Sequence, residues 1–334
     1  MTPKERVYAA LRHEESDLVP YNLAIEEEVA QRLSLHYGSD EWRGWIVNHI
    51  VGSGIEWRKA DLDPEHFVDH WGTVWLQGNI FHYTDYPLKE PTLKGYEFPD
   101  LCTEQQLSPA DTLAQDFPDR FTLFNMGLMF FERSWALRGF ENILMDMVDH
   151  PRFCHELYDR LMQTHLDIIA ALVRRGAKLD AIGFGDDWGQ QKGLIMGTRY
   201  WREYLKPRLK TMYGAAHEHG WHVWIHTCGD VSPVVEDLIE IGVDILNPLQ
   251  PEAMDTHDLK RRYGDRITFN GGISTQQTLP RGTPDDVRRE VRECIEVLGA
   301  KGGYIMEPTK PVLPDVPTEN AVAVLEAVIQ NSPS

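Results

Sequence analysis

The run DAIGFGDDW at 180–188 and the run HVWIHTCGD at 222–230, joined by a helix-period segment from Thr198 to His219, decide how this chain reads. Each run is apolar and turns polar at its end. The same unit recurs along the chain. FTLFNMGLMFF at 121–131 precedes a helix expected from Asn142 to about Arg175, and VDILNPLQ at 243–250 precedes AMDTHDLKRRYG. ITFNGGIS at 267–274 precedes TPDDVRREVRECIEVLG, and GGYIMEP at 302–308 precedes a last helix around Glu319 to Ile329. Strands that alternate with helices build a parallel sheet, because each parallel return needs a crossover.

A doubly wound sheet and a closed (β/α)8 TIM barrel both fit that alternation. No GxGxxG turn follows any strand, so the nucleotide fingerprint of the open sheet is missing. Polar residues recur at one end of the strands: Asp186 and Asp187, His226 and Cys228, Asn247 and Gln250, Asn270, Glu307. In a barrel these ends converge on one mouth at the C-terminal face. We therefore expect a single α/β barrel over 1–334, with a helical and hairpin elaboration over 1–110 and regular strand-helix units over 111–330. Thr2-Pro3-Lys4-Glu5 and Thr283-Pro284 read as capped helix starts, as does Ser232-Pro233, and EEEVAQRLSLHYG at 26–38 reads as an amphipathic helix closed by Gly38. DHWGTVWLQG at 69–78 and NIFHYTDYP at 79–87 read as short strands and hairpins, and QNSPS at 330–334 reads as a frayed end.

The sharpest chemical signal is His226-Thr227-Cys228. Residues i and i+2 of a strand share a face, so imidazole and thiol can approach one point, and Zn²⁺ accepts both. The competing reading is a packed histidine beside a structural thiol. Asp186 and Asp187 point oppositely if the strand persists, so one would face the mouth and the other cap a loop. Glu307 follows an apolar strand and faces the same mouth. Lys310 could bind an anionic group of a substrate, and Arg133 and Glu132 could line the rim. His217, His219 and His222 are explained by a helix C-terminus, where positive charge suits the dipole.

Charge and cysteine usage exclude other classes. With 33 Lys+Arg against 52 Asp+Glu, the formal charge is −19, the wrong sign for a phosphate backbone, so no nucleic-acid partner is expected. Four cysteines without CxxC spacing do not form a disulfide framework, and no apolar run is long enough to cross a bilayer. MTPKERVYAALRHEESD at 1–17 lacks the apolar core of a signal peptide. A cytoplasmic chain without membrane partner is the expectation.

The stretches DDWGQQKG, IHTCGD, GVDILNPLQPEAMD, FNGGISTQQTLPRGTPDDV and LPDVPTENAVAVLEAV, in this order, with KERVYAALRHEESDLVPYN at the start, resemble the uroporphyrinogen decarboxylase-like superfamily. The resemblance implies a (β/α)8 barrel with its site at the C-terminal mouth. It also implies one of two chemistries: a metal-free decarboxylase of the haem pathway, or a zinc-dependent methyltransferase that exchanges methyl groups with a corrinoid protein. The decarboxylase carries an arginine-rich RQAGRY-type segment near its N-terminus, where this chain reads YNLAIEEEVAQRL. Acidic residues stand where a multiply anionic tetrapyrrole needs cations.

The methyltransferase branch resembles this chain at His226 and Cys228, two of its zinc ligands; its third, a cysteine, falls near Lys310, and Glu307 is the nearest replacement. On that resemblance we expect a zinc-dependent methyltransferase or demethylase. His226, Cys228 and Glu307 would hold Zn²⁺, and Asp186, Asp187 and Glu307 would be catalytic. Gln250, Asn270, Lys310 and Arg133 would bind a small substrate, and a corrinoid would sit on a partner protein. The alternatives are a metal-free decarboxylase and a non-catalytic corrinoid or tetrapyrrole binder; homodimerisation is left open.

Overall fold

The computed structural model describes residues 1–78 and 82–331. Seven parallel strands form one curled sheet in sequence order: β1 (Ile50–Gly54), β2 (Phe121–Leu128), β3 (Ala181–Gly185), β4 (His222–His226), β5 (Ile245–Leu249), β6 (Thr268–Ile273) and β7 (Tyr304–Pro308). An eighth, irregular stave joins the edges. Met306 N donates to Pro20 O at 2.8 Å, Asn22 N donates to Met306 O at 2.9 Å, and His49 N donates to Tyr21 O at 3.0 Å. Residues 20–22 thus lie between β7 and the start of β1 and close the barrel. The expected TIM barrel is the observed fold.

Two apolar layers hold it. Phe121, Leu123, Ala181, Ile245 and Ile305 point inward and pack with Val7 and Ala10 of the first helix, Pro3–Leu11. The alternate residues, among them Phe124, Ile182, Val223, Ile225 and Leu246, point outward beneath the helices. Strands covered on both sides need apolar residues at every position, which is why these runs read as continuous. The first helix starts in the expected capping box of Thr2 and Glu5. It plugs the bottom of the barrel: Gly303 N and the Thr268 hydroxyl donate to Ala10 O, and the Tyr8 hydroxyl donates to Asp180 at 2.7 Å. Only the opposite end stays open.

The elaboration is a four-stranded antiparallel sheet, Arg58–Asp61, His66–Asp69, Val74–Leu76 and His82–Asp85. Its Phe67 and Trp75 pack on Ala136, Trp135 and Leu128 at the mouth end. Asn79, Ile80 and Phe81 of the expected hairpin, and Ser332, Pro333 and Ser334 of the expected frayed end, lie outside the described residues.

Several details differ from the sequence reading. Residues 20–22 and β1 belong to the barrel wall although they fall inside 1–110; both are short and are flanked by loop-like residues, so they carry little periodic signal. The helix expected from Asn142 to Arg175 is two, Phe140–Asp149 and Pro151–Arg175, broken where Pro151 follows His150. Thr283 caps its helix as expected, whereas the Ser232 hydroxyl donates to Asp230 and Val231 stands at the cap. His217 ends its helix, but His222 opens β4. All four cysteines are free, and among the described residues no helix is long and apolar enough to cross a membrane.

Candidate active site and metal centre

β4 turns His222, Trp224 and His226 into the barrel, because alternate residues of a strand share a face. The His226 ring Nδ1 lies 2.6 Å from Asn247 Oδ1. The Asn247 amide nitrogen donates to Asn270 Oδ1 at 2.8 Å and to Glu307 Oε2 at 3.3 Å. With its NH₂ committed to two oxygens, Asn247 presents only its oxygen to the ring, so Nδ1 carries the proton. Nε2 is left with its lone pair. It faces Cys228 Sγ at 3.5 Å and Asp187 Oδ1 at 3.9 Å. Ligand atoms of Asp187, His226 and Cys228 lie within 4.8 Å of one another.

Two glycines bring Asp187 to this group. The loops after β3 and β4 touch backbone to backbone at Gly189 and Gly229. A Cβ on Gly189 would stand 2.4 Å from Cys228 O, one on Gly229 would stand 2.3 Å from Gly189 C, and Gly229 has φ +84°. The contact is sealed by Asp230 N donating to Gln190 O at 2.7 Å and Cys228 N donating to Asp187 Oδ1 at 2.7 Å. Burial pushes the Cys228 thiol up to about 12, and the Asp187 carboxylate adds to the shift while Lys310 opposes it. A thiol so placed stays protonated at neutral pH unless a cation arrives to stabilise the thiolate.

The two aspartates divide as their adjacency predicts. Asp186 is buried and accepts hydrogen bonds from Phe130 N at 3.2 Å, Phe131 N at 2.9 Å, Glu132 N at 2.7 Å and Trp188 Nε1 at 2.6 Å. It caps the N-terminus of the helix Phe131–Arg138, with Oδ2 taking three of these bonds and Oδ1 one, and it lines neither mouth cavity. Burial lifts its carboxyl to about 6 against those donors. Asp186, expected to be catalytic, is held instead at a helix start, away from the mouth cavities. Glu132, in the first turn of that helix, lines the mouth. Burial, then the nearby Asp187 and Asp186 carboxylates, push its carboxyl well above the usual range.

Other expected residues shift as well. Glu307 is not in the His226 group; it stands behind it, bound to Asn247, with burial lifting its carboxyl to about 7. Asn270 is fully buried among Asn247, the Trp224 indole, which donates to it at 3.2 Å, and Ile305 O, so it supports the site and lines neither mouth cavity. Arg133 is also buried. It donates to Asp69 at 2.6 Å and lies over the Trp71 ring at 4.9 Å, tying the hairpin sheet to the barrel and leaving no charge for substrate. Gln250 faces the mouth and accepts from Gly229 N at 2.9 Å. Lys310 is exposed and makes no hydrogen bond or ion pair among the described residues.

Two cavities meet at the group. One, of about 670 Å³, is lined by Trp57, Trp75, Trp135 and Trp224 with Glu132 and His226. The other, of about 550 Å³, is polar, with Cys228, Gln190, Gln250, Thr275, Thr309 and Arg281. Asp187 and Lys310 line both. Sequence reading missed the aromatic walls, since Trp75 comes from the hairpin sheet, Trp135 from the helix Phe131–Arg138 and Trp57 from the loop between β1 and that sheet.

Among solved structures, a methyltransferase from Methanosarcina mazei superposes with TM-score 0.73 at 20% identity, over 99% of each chain, and so shares the fold. A curated uroporphyrinogen decarboxylase from Pseudoalteromonas translucida is 26% identical over 181 residues, 53% of this chain and 48% of that one. Another, from Hydrogenovibrio crunogenus, is 26% identical over 199 residues, 59% of this chain and 53% of that one. The chain spans about half the length of these curated relatives. The family model described as uroporphyrinogen decarboxylase (URO-D) matches residues 134–330. That match takes in more than half of the sequence, from the rim helix through β3 to β7, and the chain belongs to the uroporphyrinogen decarboxylase (URO-D) family.

Proposed function

We propose that this chain is a metal-dependent methyltransferase or demethylase that moves a methyl group between a small substrate and a corrinoid carried by a partner protein. One observation carries the reading: the convergence of His226 Nε2, Cys228 Sγ and the Asp187 carboxylate within 4.8 Å. The donor set fits zinc. Imidazole, thiolate and carboxylate are ordinary ligands of that ion, three of them leave a position for substrate, and Asn247 fixes the second ring nitrogen as ligating histidines require. Asp187 would take the ligand place expected for Glu307. When bound, zinc would supply a Lewis acid for the heteroatom that carries or receives the methyl group.

The chain's own residues do the rest. Lys310, which has no hydrogen bond or ion pair among the described residues and lines both cavities, would hold an anionic substituent. In demethylation the carbon–heteroatom bond would break with its electron pair left on the heteroatom, and a reduced corrinoid on the partner protein would supply the acceptor for the methyl group. The Glu132 carboxyl lines the chamber, and burial, then its Asp187 and Asp186 neighbours, raise it above the usual carboxylate range; it would be the proton donor to the departing heteroatom. Metal analysis of the purified chain tests the proposal. Stoichiometric zinc, lost in the His226→Ala/Cys228→Ala variant, is expected; no metal in the wild type sinks it.

A second reading, metal-free decarboxylation, is favoured by the name that the curated relatives bear. Lys310 would grip a carboxylate and Glu132 would manage the proton. Release of CO₂ undiminished by a chelator is the outcome that selects it.

A further inference from the structure

A separate cavity of about 250 Å³ lies at the closed end of the barrel, away from the mouth. Its walls are Ala10 of the first helix, residues 14–20 that lead into the closing stave, and the turn Cys294–Leu298 with Gly299, which ends the helix begun at Pro284. Its charged groups have one sign. Glu14, Glu15 and Glu296 line it, and among the described residues no basic side chain does. Arg12 offsets Glu14 at 2.8 Å, and Glu15 Oε1 accepts from Lys301 N at 2.9 Å. The exposed Glu296 has no hydrogen bond or ion pair among the described residues. Lys260 stands close by, but its ammonium donates to Gly302 O. The helix end adds the negative pole of its dipole.

An amide from the far end of the chain points to the same ligand. Asn331 lines the cavity and is only 3% exposed; its amide nitrogen donates to Val19 O at 2.9 Å, and its Oδ1 is buried with no hydrogen-bond partner. A buried acceptor left unpaired is costly, and a ligand N–H removes that cost. The acids do not form a metal site, since among the described residues only Asp187, His226 and Cys228 converge closely enough to hold an ion. Val19, Pro20 and Ile295 add an apolar wall that a bare ion would not use. A quaternary ammonium has no N–H for the Asn331 oxygen, and the volume is below that of sites for drug-sized ligands. We infer that this cavity binds a free, short-chain aliphatic ammonium. Its N–H groups meet Asn331 Oδ1 and the Glu15 and Glu296 carboxylates, and its chain lies against Val19, Pro20 and Ile295.

The test is calorimetric titration of the purified chain with butylammonium chloride at fixed ionic strength, with n-butanol as the neutral counterpart. Saturable binding of the ammonium is expected, and none of the alcohol over the same concentrations. Glu296→Gln, a change at an exposed side chain, is expected to weaken the ammonium about two- to five-fold, and Glu296→Lys to abolish its binding. Asn331→Leu should weaken it about ten-fold or more. If that variant does not fold, the two Glu296 variants decide. No saturable binding, equal binding of the alcohol, or an affinity that Glu296→Lys leaves unchanged overturns the inference. The last of these would put the cation at the mouth, beside Glu132 and Asp187.

Discussion

Asn247 decides what His226 can offer. Its amide is pinned by Asn270 and Glu307, so the imidazole is held as one tautomer with Nε2 turned to Cys228 and Asp187. Removing such a partner typically weakens metal binding by about 10- to 100-fold. Asn247→Leu should therefore lower zinc affinity by that order in a chelator competition, with His226, Cys228 and Asp187 all still present. Unchanged affinity would show that the ring is oriented by its strand alone. Asp186 and Asp187 make the complementary point: neighbours in sequence, one is consumed by four donors at a helix start and the other stands in the mouth. Strand periodicity predicted that they would differ, and the helix N-terminus settled which was which.

At the scale of elements, the hairpin sheet is held to the barrel by a buried ion pair as well as by aromatic packing. Asp69 accepts from Arg133, from the Trp75 indole and from the backbone of Trp71 and Thr73. Taking away one member of a buried pair leaves a charge without compensation, at a cost of about 3 to 5 kcal/mol. Arg133→Met should destabilise the chain by that amount in urea denaturation. A variant of wild-type stability that loses substrate would restore Arg133 to the binding role that the sequence suggested. Arginine beside a run of aromatic residues at a strand end reads equally well as rim or as anchor. Its partner lies 64 residues upstream, beyond the reach of any local pattern.

The whole molecule carries a formal charge of −19, so its stability is tied to where its carboxylates find partners. One link joins a helix end to the barrel floor: His217 Nε2 lies 2.8 Å from Asp244, with His222 at 3.6 Å. The hydrogen bond to Asp244 raises the His217 pKa above its ordinary value of 6.5. Burial alone would raise the Asp244 pKa, but hydrogen bonds from His217, His222 and Val223 N overcome it and hold the carboxyl well below the usual range. The histidine's contribution is complete below about pH 6.5 and is lost as pH rises through the raised value; the aspartate's is complete above about pH 4 and is lost on acidification. His217→Ala should therefore destabilise the protein more near pH 6 than near pH 9, read from denaturation midpoints at the two pH values. Equal losses would mean that packing, not charge, is what His217 contributes.

The alternation of apolar runs with helix-period segments determined the barrel, and the polar strand ends determined where its site lies, because both depend on local periodicity that no tertiary contact has to supply. His226 and Cys228 were legible for the same reason, being two residues apart on one strand. The closing stave at residues 20–22 was not, since it makes its hydrogen bonds to β7 and β1 without a periodic pattern of its own. Tertiary structure alone placed Asp187 beside His226 and Cys228, put Glu307 behind them, turned Arg133 to Asp69 and lined one chamber with tryptophan. Asp187 lies past the end of its strand and Trp57 in a loop, and the others lie within elements whose neighbours come from far along the chain. In each case the arrangement is set by contacts with distant segments: two touching glycines, a helix N-terminus, a hairpin sheet folded over the mouth.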